Sequence, residues 1–426
     1  MTKTKAYILD PALRRPAGHH LNAAMTLRQI WPRETRLLGA RRARREVVSA
    51  ANAERVFRVC AYDRRTYDAR EFKALVDITF SDLLAAVRPS RFEPDVILLP
   101  TCDEVLAKAL ARFLERVRPR RTPIIAAWAI LPPGHMAQDE PDAAQCQAQD
   151  IRDGFRHLHH LAGDRLRLFC ETGALARTYA EITGLAFALV PCPSGTTRKT
   201  PSVVSETLTF AMLGHVNPGK GFGLLEDAIS ATHGMPIDFV VHLAGARETA
   251  EGRAMIKRLK SAGRVVTVLT EDLSANDYAA LVSRADVIML PYDPVIYAKK
   301  GSGIFNEAGR LGIPVIVTAG CSFAEDAIQQ GAAVVMERWD GEALAAAIAQ
   351  AYRSIDHHRA AAMRRSQRLT GDVSALFEEA NRQRSDQPED RSGLRLFMND
   401  LHHFTAMGGY VARRLRRRLE RRLAKS

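Results

Sequence analysis

Between residues 287 and 318 two short apolar runs flank one polar loop and one helix, and few folds accept that order. Val287, Ile288, Met289 and Leu290 run unbroken up to Pro291. Continuous rather than alternating hydrophobicity is how a parallel strand covered on both faces reads. The loop that follows carries Lys299, Lys300, Gly301, Ser302 and Gly303; Ile304 to Leu311 reads as a helix that Gly312 closes, and Pro314 to Val317 is the next buried strand. A glycine-bearing loop that leads from a strand into a helix gathers unpaired amides and the positive end of the helix dipole, which suits an anion. Glu307, in about the first turn of that helix, cannot hold phosphate but can accept hydrogen bonds from sugar hydroxyls. Phosphate on the amides with ribose on the acid describes a bound nucleoside diphosphate. A plain connection between helix and strand uses the same glycines and is the competing reading.

The same alternation runs through the chain. In the first half strands are expected at Lys5 to Asp10, Thr35 to Leu38, Val56 to Ala61, Val96 to Leu99, Thr122 to Ile130, Leu166 to Phe169 and Phe187 to Val190. Helices are expected at Leu21 to Ile30, Phe72 to Val87, Glu104 to Val117 and Gly173 to Ile182. A polar Thr, Ser, Pro and Lys-rich stretch from Thr196 to Glu206 breaks the pattern. It then restarts with strands at Thr207 to Leu213, Ile237 to Ala244 and Arg264 to Leu269. Helices fall at Gly223 to Ser230, Ala250 to Ser261 and Ala275 to Ala285, then at Glu342 to Ile355 and His358 to Asn381. The class is α/β, with two doubly wound Rossmann-like domains, 1–200 and 207–383, and a basic tail over 384–426. A length of 426 residues fits two cores better than one.

A second glycine loop, Gly214-His215-Val216-Asn217-Pro218-Gly219-Lys220-Gly221, also lies between a strand and a helix. Its G-x-x-x-x-G-K spacing matches a P-loop, but Gly221 stands where a Ser or Thr should hold magnesium. A helix-entry turn with an exposed lysine is the bland reading.

Glu307-Ala308 and Gly312-Ile313-Pro314-Val315-Ile316 resemble the donor-site signature of retaining nucleotide-sugar glycosyltransferases of the GT-B fold, glycosyltransferase family four. That signature is a Glu, seven residues, a second Glu, then Gly-x-Pro-Val-Ile. The first Glu, which in the family touches the transferred sugar, is Lys299 here. The resemblance implies a donor site in the second half built from His215, Gly219, Thr270, Lys299, Ser302, Gly303 and Ile304. Lys220, matching the lysine of the family's Gly-Arg-Leu-x-x-x-Lys-Gly run, would neutralise the departing diphosphate; His215 takes the place of the arginine. Glu307 would hold the ribose, and Thr270 would lie at the nucleobase.

For the acceptor the resemblance points to the first half. Gly18 and His19 sit in the loop expected to face the cleft, and His135 follows Leu131-Pro132 at its rim. Trp128 stands where the family often has a His-Asp pair, as a sugar platform or as core. Glu171 and Thr172 face the same crevice by topology, with helix capping as the plainer role for Thr172. The implied activity is transfer of a sugar from a nucleotide diphosphate, with retention, to a glycan or lipid-linked acceptor, as in cell-surface polysaccharide synthesis. A nucleotide-sugar epimerase on the same fold and a catalytically degenerate binding protein are the alternatives.

Net charge is +13, and its placement matters. The last fourteen residues hold seven Arg and one Lys against Glu420, and from Val411 onward Val411, Leu415, Leu419 and Leu423 form one apolar stripe. Such a helix over 410–426 suits an anionic membrane surface. Few aromatics interleave the arginines, so nucleic acid is not expected. Residues 1–20 lack the apolar core of a secretion signal, and no apolar run reaches the ~18 residues of a membrane span. Six scattered cysteines without a CxxC pair fit a reducing compartment. The expected location is the cytoplasm, at the inner membrane face. No Asp-x-Asp run or cluster with ligand spacing occurs, so neither metal nor cofactor is expected beyond the nucleotide-sugar co-substrate.

Overall fold

The computed structural model describes residues 5–369 apart from 16–18, 31–33, 61, 63–68, 89–91, 135–140, 193–206, 262–265, 272 and 274. The linker expected over 196–206, the end of the last helix beyond 369 and the basic tail lie outside the described residues.

The first half contains β1 (Ala6–Asp10), α1 (His19–Ile30), β2 (Thr35–Ala40), α2 (Arg45–Ala51), β3 (Ala53–Phe57), α3 (Ala69–Ala86), β4 (Val96–Leu99) and α4 (Glu104–Val117). It continues through β5 (Ile124–Trp128), α5 (Pro141–Ala162), β6 (Leu166–Cys170), α6 (Gly173–Thr183) and β7 (Ala188–Leu189). The second half contains β8 (Leu208–His215), α7 (Leu225–Ala231), β9 (Ile237–Ala244), α8 (Ala250–Ser261), β10 (Val266–Leu269), α9 (Ala275–Arg284) and β11 (Val287–Leu290). After these come α10 (Gly303–Leu311), β12 (Val315–Thr318), α11 (Glu325–Gln329), β13 (Ala333–Met336) and α12 (Gly341–Arg353). A further helix spans 355–369.

The strands form two parallel sheets, ordered β3-β2-β1-β4-β5-β6-β7 and β10-β9-β8-β11-β12-β13. Strand order reverses between β1 and β4 in one and between β8 and β11 in the other. Crevices at the carboxyl ends of the strands open at such points, so the loops after β1, β8 and β11 are placed to meet a ligand. Apolar layers cover both faces of each sheet, which is why β4, β5, β11 and β12 are buried along their whole length. Helix entries are fixed by side-chain caps. Asp103, Thr172, Ser302 and Asp340 accept hydrogen bonds from the amides of Leu106, Leu175, Phe305 and Ala343.

Four elements are missing from the sequence reading. The run Arg41, Arg42, Arg44 and Arg45 before β3 leads into α2, which buries Val47 and Ala51. The 22-residue α5 packs Ile151, Phe155, Leu158 and Ala162 inward, at the i, i+4, i+7, i+11 spacing of one helix face. The short α11 and β13 follow the Gly320 turn.

Candidate active site

The loop after β8 is built by close backbone approach. Pro218–Lys220 forms a 3-10 turn, with the Asn217 side chain accepting from the Gly219 amide at 2.8 Å. Gly221 has φ +72°, and a Cβ there would fall 2.0 Å from the Pro291 carbonyl oxygen. The Asp293 amide donates to the Gly219 carbonyl at 2.8 Å. The loops after β8 and β11 are therefore fastened to each other, and position 221 admits only glycine. A Ser or Thr cannot stand there, so this position cannot offer magnesium the hydroxyl that a P-loop supplies.

This clamp places the lysine. A Cβ added to Gly214 would lie 3.0 Å from both the Lys220 Nζ and the Ile304 Cδ1, so ammonium and side chain lie within about 6 Å of each other. The ammonium also stands 5.8 Å from the centre of the Tyr292 ring, and burial lowers its pKa. His215 is exposed and covers Gly245, whose Cβ would fall 2.3 Å from the imidazole Cε1. At the start of α10 the Ser302 hydroxyl caps the Phe305 amide at 3.3 Å. No described residue accepts from the Gly303 and Ile304 amides, which open the helix and carry its positive end. The ammonium thus stands beside the Ile304 side chain, at the end of α10 where those two amides lie.

Glu307 is the fifth residue of α10 and so begins its second turn rather than its first. It is 8% exposed. Its Oε1 accepts from the Asn22 amide of α1 at 3.1 Å, whereas Oε2 is buried without a hydrogen-bond partner. Burial pushes the carboxyl up to about 7, with Asn22 and Tyr278 beside it pulling the other way. Tyr278 and Asn22 were not apparent from sequence.

The first half meets this helix a second time through Glu171, at the end of β6. Its Oε1 accepts from the Asn306 amide at 2.9 Å, and its Oε2 lies 2.3 Å from where a Cβ on Gly301 would stand. Burial brings this carboxyl to about 7 as well, against the Cys192 amide, Asn306 and the nearby His20. Two consecutive residues of α10, Asn306 and Glu307, thus bridge to the other half, one as donor and one as acceptor. Between the halves Glu171, Thr172, Phe305 and Arg365 help line a crevice of only about 30 Å³, room for a few waters and far too little for a sugar.

Other predicted positions fare differently. Gly18 and His135 lie outside the described residues, as does the His19 side chain. Trp128 is wholly buried, 4.8 Å from the Phe169 ring centre, with its indole nitrogen donating to the Val190 carbonyl at 3.0 Å. It offers no face to a sugar, so the acceptor role is corrected to core. Thr270 follows β10, the edge strand beyond β9, and its hydroxyl lies 3.4 Å from a Glu271 carboxylate oxygen. Lys299 is exposed. Among the described residues no three metal-binding side chains gather, and no helix is long and apolar enough to cross a membrane.

Two doubly wound parallel sheets facing each other, with their switch-point loops turned to a shared cleft, constitute the GT-B fold. Within it, residues 207–354 match the family model described as glycosyl transferases group 1. Solved structures similar to most of the chain include sucrose-phosphate synthase from Thermosynechococcus elongatus, 14% identical over 89% of this chain and 98% of that one, TM-score 0.56. HepE of Anabaena, in complex with UDP-glucose, is 13% identical over 90% and 100%, TM-score 0.59. A protein assigned as a UDP-N-acetylglucosamine 2-epimerase from Listeria monocytogenes is 13% identical over 91% and 100%, TM-score 0.54. No curated protein matches the chain in sequence.

Proposed function

We propose that the protein is a glycosyltransferase that moves a sugar from a nucleotide diphosphate to a glycan or lipid-linked acceptor. The observation that carries this is the meeting of the Lys220 ammonium with the start of α10 over Gly214, inside the segment that matches the glycosyl transferase family. The diphosphate sits between the ammonium and the Gly303 and Ile304 amides. As the bond from the anomeric carbon to the distal phosphate breaks, negative charge grows there. Donors already aimed at that charge stabilise the transition state more than the ground state. The unpartnered Oε2 of Glu307 accepts a ribose hydroxyl. The acceptor enters from the first half, and the lysine performs the charge duty that a metal performs elsewhere. Retention of anomeric configuration follows from the resemblance. The cationic stripe over 410–426 would hold the protein to an anionic membrane surface during polysaccharide synthesis.

The test is incubation of the full chain with UDP-, GDP- and ADP-sugars, with and without lipid-linked and glycan acceptors. Acceptor-dependent release of nucleoside diphosphate, lost in Lys220→Ala, is the expected result. A changed sugar with donor alone would instead identify an epimerase. Binding without turnover under every acceptor would identify a binding protein.

A further inference from the structure

We propose that Glu171, carried by the first half, is the carboxylate that holds hydroxyls of the transferred sugar, so that the sugar subsite is completed from both halves. This rests on the glycosyltransferase reading above. Along the second half the order is Gly301, then the Gly303 and Ile304 amides, then Glu307. A nucleotide-sugar laid on it runs sugar, diphosphate, ribose in the same order. The sugar therefore falls at the loop around Gly301.

Hydroxyls need acceptors as well as donors, and Lys299 and Lys300 on that loop bring ammonium groups, which only donate. The carboxylate that reaches the loop comes from across the cleft: Glu171 Oε2 stands 2.3 Å from the vacant Cβ position of Gly301. Any side chain at 301 would exclude it. Its direction is set, because Oε1 accepts from Asn306 at 2.9 Å and the Cys192 amide donates to the same carboxylate. In this structure the Asn306 amide occupies the group. A sugar hydroxyl makes the same kind of hydrogen bond, so binding exchanges one donor for another.

The experiment compares the full-length protein with Glu171→Gln, which keeps shape and removes charge, and with Glu171→Ala. Calorimetry gives Kd for UDP, GDP and ADP and for their glucose and N-acetylglucosamine derivatives. For the base that the unmodified protein binds, the ratio of nucleotide Kd to nucleotide-sugar Kd is expected to fall tenfold or more in both variants. The nucleotide Kd itself should not rise in either variant. An unchanged ratio overturns the proposal, and so does a parallel loss of both affinities, which would mark Glu171 as a tie between the halves. If the unmodified protein binds no nucleotide-sugar at all, the glycosyltransferase reading fails first and this one with it.

Discussion

Asn22 on the first helix donates across the cleft to Glu307 at 3.1 Å, so the acid proposed for ribose is already engaged by the opposite half. The ribose takes the other oxygen, Oε2, but the crevice between the halves has no room for a nucleotide, so a donor that parts them breaks this bond. Asn22→Ala is expected to tighten nucleoside diphosphate binding by about 2- to 10-fold, the equivalent of a net hydrogen bond of ~0.5–1.5 kcal/mol. Calorimetric titration checks it; weaker binding would mean that Asn22 itself touches the ligand.

Lys220→Ala is expected to lower kcat by about 10²–10³, as for loss of one donor aimed at developing charge. Lys220→Arg should recover part of that rate. Affinity for the uncharged nucleoside should stay level, which equilibrium titration with uridine, guanosine and adenosine can show.

Closure should depend on pH. Glu171 and Glu307 both rise from 4.5 to about 7 through burial, so between those values the closed form binds more protons than the open one. Their contribution to closure is complete below 4.5 and is lost as pH rises through about 7. The radius of gyration in solution scattering is therefore expected to grow from about pH 5.5 to about pH 8. The Glu171→Gln/Glu307→Gln double variant should flatten that dependence; contraction at high pH would contradict it.

Two glycines should respond unlike each other to alanine. At Gly221 the left-handed backbone alone costs about 1–3 kcal/mol, and the Cβ meets the unyielding Pro291 carbonyl. Gly221→Ala should lower the urea midpoint. At Gly301 the obstacle is the end of a side chain, so Gly301→Ala should leave the midpoint alone and open the cleft.

Trp128→Phe leaves the buried Val190 carbonyl without its donor, at a cost of about 1–3 kcal/mol. Thermal melting should fall while the acceptor KM stays unchanged. A raised KM would restore the sugar-platform role.

Local pattern carried far along this chain. The runs at 96–99 and 287–290 are continuous because both sheet faces are covered, and their limits match the strands. Gly312, with φ +68°, closes α10 at the glycine that marks its end. The glycine loop and lysine were legible for the same reason: the backbone there requires a particular residue type. Asn22 and Asn306 were not, since an asparagine on a helix face gives no sign of what stands opposite it in another domain. Trp128 misled because a large aromatic at a strand end serves a core or a ligand equally well until the packing around Phe169 is seen. Glu171 was placed at the crevice by topology, but its approach to Gly301 depends on how two sheets meet.

The tight seat of Glu171 over Gly301 also sets a kinetic limit. No donor can slip past a carboxylate that leaves no room for a methyl group, so the halves must swing apart before anything enters. In stopped-flow mixing the observed association rate should then climb with nucleotide-sugar concentration only to a ceiling. That ceiling is the rate at which the empty protein opens, a property of the seam rather than of the ligand.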